Sequence, residues 1–180
     1  MCKEFHSKYF AVEFLFVIVI LGHTNNGKNK KQRKVLKRGF RMATDILISI
    51  KNLQEQDGER NVIDYQTKGE LYEKKGTTYL RYKEKGEGLE GVQTTLKVEK
   101  EQISLIRHGA LSMCQVFKEG VRNDCEYNTP HGTLMLSTDT KNMEKALGFD
   151  DGRIRISYDL YFSGQLTSNN TLEIEYKTIQ

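Results

Sequence analysis

The chain has no tryptophan, a single proline (Pro130) and three cysteines in 180 residues. One proline beside 15 scattered glycines excludes a proline-rich or disordered polymer and suits a β-meander with glycine at tight turns. Beyond Met42 the cysteines are Cys114 and Cys125, and the histidines are His108 and His131. They show no paired Cys/His spacing, so neither a metal nor a cofactor is expected. No G-x-S-x-G is present, and neither cysteine sits in an electropositive or helix-terminal setting. "GEGLEG" (Gly86–Gly91) joins two strands with no helix behind it, which excludes a phosphate cradle. No catalytic residue is assigned, and an enzyme ranks last among the function classes.

Long apolar runs are also lacking. The longest, Phe14 to Leu21, has eight residues, too few to span a bilayer. With Lys3 and Lys8 before it, the run is weakly signal-like, but Glu4 and Glu13 intrude and no small-x-small cleavage site follows. Lys37 and Arg38-Gly39 can be encoded by a purine-rich sequence placed where a ribosome-binding site would precede Met42. Residues 1–41 are therefore read as a non-native or disordered N-terminal extension produced by a misplaced start, and 42–180 as one barrel domain. The expected setting is cytoplasmic, with no membrane partner. Were residues 1–41 genuine, the alternative is an N-terminal membrane anchor.

The formal net charge of +4 belongs to that extension. Residues 1–41 carry ten Lys/Arg and two Asp/Glu, leaving 18 basic and 22 acidic residues in the body. A mildly acidic body repels phosphate backbones at long range, so no bulk nucleic-acid binding is expected.

From Thr44 onward the dominant period is two. Ile46, Ile48 and Ile50 share one face of a first strand; Ile63, Tyr65 and Thr67 share one face of a second. Further strands are read at 77–84, 92–99, 103–108, 112–118, 121–129, 132–140, 153–162 and 171–177. Turns are expected at Asp57-Gly58, Lys75-Gly76, Glu119-Gly120, Asp151-Gly152 and Ser168 to Asn170. Lys141 to Phe149 fits a helical turn and a bulged continuation of the eighth strand equally well. About ten antiparallel strands, each with one apolar face, bury those faces and lose their edges by closing into a barrel.

Hydrophobic pattern also sets the register around Glu119-Gly120. A three-residue loop pairs Phe117 with Val121 and Met113 with Cys125, and keeps Asn123, Cys125 and Tyr127 on the Met113/Phe117 face. Cys114 and Cys125 then point to opposite faces, so no disulfide is expected. Arg107 shares parity with Ile103 and Leu105 and is expected to point inward, where a guanidinium must be paired or hydrogen-bonded. On one reading it receives an anionic ligand group at the barrel mouth, helped by Tyr82 and Tyr127. On the other it plugs a barrel end by bonding strand-terminal carbonyls.

Residues 43–178 resemble the YwiB-like family of small bacterial proteins, a domain of unknown function assigned to the calycin-like β-barrels. The resemblance rests on "IDYQTKG" (Ile63–Gly69), "TYLRYKE" (Thr78–Glu84), "GVQTTLKV" (Gly91–Val98) and "LIRHGALSMCQVFKEG" (Leu105–Gly120). It continues through "YNTPHGTLMLST" (Tyr127–Thr138) and "GRIRISYDL" (Gly152–Leu160). It implies an all-β, antiparallel calycin- or lipocalin-like barrel of about ten strands in meander order, and members that begin close to the position of Met42. It implies no established activity. An end-plugging arginine is a calycin-like trait, which gives the second reading of Arg107 the preference.

The function expected is non-enzymatic binding of a small, partly apolar or anionic molecule within the barrel, with Arg107, Tyr82 and Tyr127 as candidate ligand residues. The alternative is a protein-interaction module using an outer face, or an edge if closure is incomplete.

Overall fold

The structure is a computed structural model that describes residues 43–85 and 88–179. The reading of residues 1–41 as an extension falls outside the described residues. Ten strands follow in order: β1 (Thr44–Gln56), β2 (Glu59–Lys74), β3 (Thr77–Lys83), β4 (Gln93–Val98) and β5 (Ile103–His108). Then come β6 (Ser112–Phe117), β7 (Arg122–Thr129), β8 (Gly132–Leu147), β9 (Asp151–Phe162) and β10 (Gln165–Thr178). Each pairs antiparallel with its sequence neighbours, and β1 pairs with β10, so the meander closes into a barrel. Closure gives both edges of the terminal strands β1 and β10 a partner, so neither is left as the free edge on which an edge-binding role depends.

The alternation seen in sequence is the inside–outside alternation of the wall. Ile46, Ile48 and Ile50 of β1 are 0–4% exposed. With Leu80, Leu96, Ile103, Phe117, Ile154, Ile156 and Ile174 they fill the end that holds the Lys75-Gly76 and 99–102 turns, termed the lower end. Each such side chain contributes roughly 1.5–3 kcal/mol by burial. Tyr176, 2% exposed, closes the floor by donating its hydroxyl to the Gly148 carbonyl at 2.7 Å.

Three local expectations change. Lys141 to Leu147 continues β8, and the register shifts between Thr140 and Asn142. This bulge turns Met143, opposite Ile156, inward after Thr138 and Thr140, so strict alternation breaks without ending the strand. Ser168 to Asn170 is not a turn: β10 begins at Gln165, and the reversal lies at Ser163-Gly164, both at positive φ. Likewise the β8–β9 reversal falls at 148–150, ahead of Asp151-Gly152.

The β6–β7 register is also offset from the expected one. Met113 pairs with Tyr127, not Cys125, and Ser112 pairs with Asn128. Val121 does not face Phe117; its N–H bonds Lys118 and its carbonyl accepts from Thr140 of β8. The offset is two residues, so the faces survive: Cys125 is buried, Cys114 exposed, and both are free. Below Met113 the two strands part, and Gln115 of β6 instead donates to Thr138 of β8 at 2.8 Å.

Candidate functional site: a polar belt in the upper lumen

Ten strands enclose more interior than the eight whose side chains just fill a barrel. The hydrogen-bonded rows also climb around the wall. The row Gly69–Tyr82–Thr94–Arg107–Met113–Tyr127–Leu134 starts in the middle of β2 and ends near the upper start of β8. Residues at one height therefore step down the rows from strand to strand. Allowing for that climb, the inward positions of one layer are almost all polar. From β1 to β5 they are Asn52, Tyr65, Glu84 (immediately after β3), Thr94 and Arg107. From β6 to β10 they are Gln115, Asn123, Thr138 with Thr140, Tyr158 and Asn170. Beneath this belt lies the aliphatic floor. Above it, Met113, Tyr127, Leu134, Leu136, Leu160 and Phe162 line the mouth.

Glu84 is the anchor of the belt, with its side chain 1% exposed. Its backbone N–H bonds Val92, which extends the β3–β4 ladder by one step and fixes the carboxylate inward, in phase with Leu80 and Tyr82. Three donors converge on it. Thr94 Oγ1 donates at 2.5 Å and Arg107 Nε at 3.2 Å, both to Oε1, while the Tyr65 hydroxyl donates to Oε2. Arg107 faces inward as its parity predicts, with its side chain 23% exposed. Among the described residues its hydrogen bond goes to Glu84 and not to a strand-terminal carbonyl. Neither reading of Arg107 from sequence named this partner.

Tyr82 and Tyr127 are 4% and 5% exposed, and both lie within the electrostatic reach of Arg107. Burial, above all, drives the Tyr82 hydroxyl well above the ordinary tyrosine value, and the Glu84 charge adds to this. Tyr65 is raised by burial first, then by Tyr82 and Glu84. Burial raises Tyr127 too, against a lowering by Arg107, and pushes Tyr158 up to about 12. Burial disfavours the Arg107 cation, but Glu84 and the tyrosines outweigh it and hold the guanidinium charged. The three candidates thus belong to one cluster, and the residue that organises it, Glu84, was missed. A signal existed in its shared parity with Leu80 and Tyr82, but it sits at a strand end beside a glycine-rich turn.

The belt is incompletely satisfied. Among the described residues, Asn52 Oδ1, Asn123 Nδ2 and Thr140 Oγ1 are buried side-chain atoms without a hydrogen-bond partner. Buried polar groups in folded proteins are nearly always paired, so three orphans in one layer call for an explanation. His108 and His131 are exposed, and no metal-holding group of three or more His, Cys, Asp or Glu occurs among the described residues. A cavity of about 220 Å³ opens across β1, β8, β9 and β10, lined by Leu53, Glu55, Lys141, Ser157, Asp159, Asn169 and Thr171 together with the belt residues Tyr158 and Asn170.

A closed, antiparallel ten-stranded meander places the chain among the all-β barrel proteins. The chain belongs to the family described as domain of unknown function (DUF1934), whose model matches residues 48–174. It is 32% identical over 138 residues to the uncharacterized beta-barrel protein YwiB of Bacillus subtilis (strain 168), an alignment covering 77% of this chain and 96% of that protein. The crystal structure of the ywiB protein from Bacillus subtilis superposes with a TM-score of 0.73 at 31% identity, covering 79% of this chain and 96% of that one.

Proposed function

We propose that the protein is a non-enzymatic binding barrel that holds a small, partly apolar molecule in its upper lumen. One observation carries this reading. Seven apolar residues pack on the core yet stay partly open to solvent: Tyr65, Leu89, Leu134, Met143, Tyr158, Leu160 and Phe162. All but Met143 lie in the belt, at the mouth or in the loop above it, whereas the floor is closed. An apolar recess with a few convergent polar groups is the usual form of a small-molecule site. Arg107 already has a counter-charge in Glu84, which favours the partly apolar member of the expectation over the anionic one. A calycin-like relationship and a cytoplasmic setting are part of the same proposal. Two free cysteines on opposite faces of the wall support the latter.

The test is uptake of the neutral dye N-phenyl-1-naphthylamine, with native mass spectrometry of protein purified from its own host. Enhanced dye emission that a mouth-blocking Leu160→Trp substitution abolishes, together with a co-purifying small molecule, is the expected result. Failure of a correctly folded barrel to bind the dye would defeat the proposal. The cavity lined by Lys141 and Asp159 favours a second reading, a protein-interaction face. Capture of a protein partner that Lys141→Glu releases, with dye uptake absent, would shift the assignment to it.

A further inference from the structure

Resting on the lumenal reading above, we infer that the polar end of the ligand is uncharged and carries both hydrogen-bond donors and acceptors, as an amide or a polyol does. The barrel on this account discriminates against carboxylates. Charge makes the first half of the case. The belt holds one cation and one anion in direct contact, Arg107 Nε on Glu84 Oε1 at 3.2 Å. The carboxylate is almost wholly buried and already takes hydrogens from Tyr65, Thr94 and Arg107. A ligand carboxylate approaching Arg107 would share that cation with Glu84 and lie beside a second anion in a low-dielectric interior, where like charges repel strongly. A neutral head meets no such cost.

Hydrogen-bond chemistry makes the second half. The orphans of the belt are an acceptor (Asn52 Oδ1), a donor (Asn123 Nδ2) and a hydroxyl that can act as either (Thr140 Oγ1). Thr140 is 0% exposed, so its hydroxyl cannot turn to bulk water. A carboxylate only accepts and leaves Asn52 unanswered. An amide or polyol supplies both halves. The order of layers sets the orientation. With the belt below and Leu134, Leu160 and Phe162 above, an amphiphile enters polar end first and leaves its apolar part at the mouth.

The experiment compares decanamide with decanoate, which share chain length and head-group shape and differ in charge and donor capacity. Each is titrated into the full-length protein and followed by two-dimensional NMR and calorimetry. Decanamide is expected to bind at least about tenfold more tightly, the factor that one or two net hydrogen bonds supply. It should shift the side-chain amide signals of Asn52 and Asn123. Thr140→Val keeps the side-chain volume and removes an orphan. It should weaken decanamide about fivefold or more and not lower the stability of the ligand-free protein. A hydroxyl with a purely structural role would instead lower stability and leave decanamide binding unchanged. Glu84→Gln should move the preference toward decanoate by freeing the Arg107 charge. Equal or tighter binding of decanoate to the wild type overturns the inference while lumenal binding stands. Dye uptake with neither probe bound also overturns it, the orphans then being served by water. Absence of dye and of both probes removes the lumenal reading itself.

Discussion

Replacing Glu84 by alanine tests the centre of the belt most directly. The substitution takes the acceptor from the Tyr65 and Thr94 hydroxyls and leaves Arg107 as a mostly buried cation without a counter-charge. Breaking a buried ion pair by removing one partner costs about 3–5 kcal/mol, most of it the penalty of the charge left behind. The 23% exposure of the Arg107 side chain lets water screen part of that charge, which places the cost near the lower bound, about 3 kcal/mol. In a urea titration with a slope of about 2 kcal/mol/M this lowers the midpoint by about 1.5 M. The companion is Glu84→Leu with Arg107→Met, which removes both charges and keeps the volume. Apolar replacement of a whole buried pair is often neutral or better, so the double variant should recover about 2 kcal/mol or more relative to the sum of its single changes. A Glu84→Ala protein within about 1 kcal/mol of wild type at unchanged slope would refute the pairing argument. Strict additivity in the double variant would refute it equally.

Two further outcomes follow from the interior. Tyrosines raised in the folded state bind their protons more tightly there than in the unfolded chain, so stability is full below the ordinary value of 10.0 and is lost as pH climbs through the folded values. Tyr158, at about 12, sets the visible window: the urea midpoint should fall between pH 10 and 12, tyrosinate absorbance should rise together with unfolding, and Tyr158→Phe should make the fall shallower. Free titration of every tyrosine in the folded protein near pH 10 would contradict this. Gly152→Ala tests the floor, because a Cβ there would overlap the ring and hydroxyl of Tyr176, itself held on the Gly148 carbonyl. Overpacking of this kind costs about 1–3 kcal/mol, and an unchanged melting temperature would show the floor to be softer than its contacts indicate.

The sequence made the floor legible and the belt only partly so, and the reason is physical. Aliphatic residues at every second position report both strand and face, so Ile46, Ile48 and Ile50, or Ile154 and Ile156, announce themselves. Polar positions inside the lumen carry the opposite signal. Ser168 and Asn170 are 2% and 6% exposed, yet their polarity reads as a turn, and β10 loses its first half in any reading based on hydrophobicity. At Lys141 an extra residue shifts the phase of β8, and Met143 and Leu147 then sit four apart, a helical spacing. Arg107 could be placed inward from parity alone. Its partner could not be named, because Glu84 lies 23 residues away and meets it only through the β3–β4–β5 registers.

The two regimes of the interior also differ in what maintains them. Floor residues are interchangeable in kind, since any well-packed aliphatic set of the same volume serves the same purpose. The belt costs stability. Apolar side chains at Asn52, Asn123 and Thr140 would remove unpaired buried groups, and an apolar pair in place of Glu84 and Arg107 would avoid desolvating two charges. Polar groups placed at random would be distributed along the lumen, with each paired locally. Here most of them gather in one layer supplied by all parts of the wall, above an aliphatic floor and below a mouth lined largely by apolar residues. Such a layer does nothing for stability that an apolar one would not do better, and this is the physical ground of the ligand proposal made above.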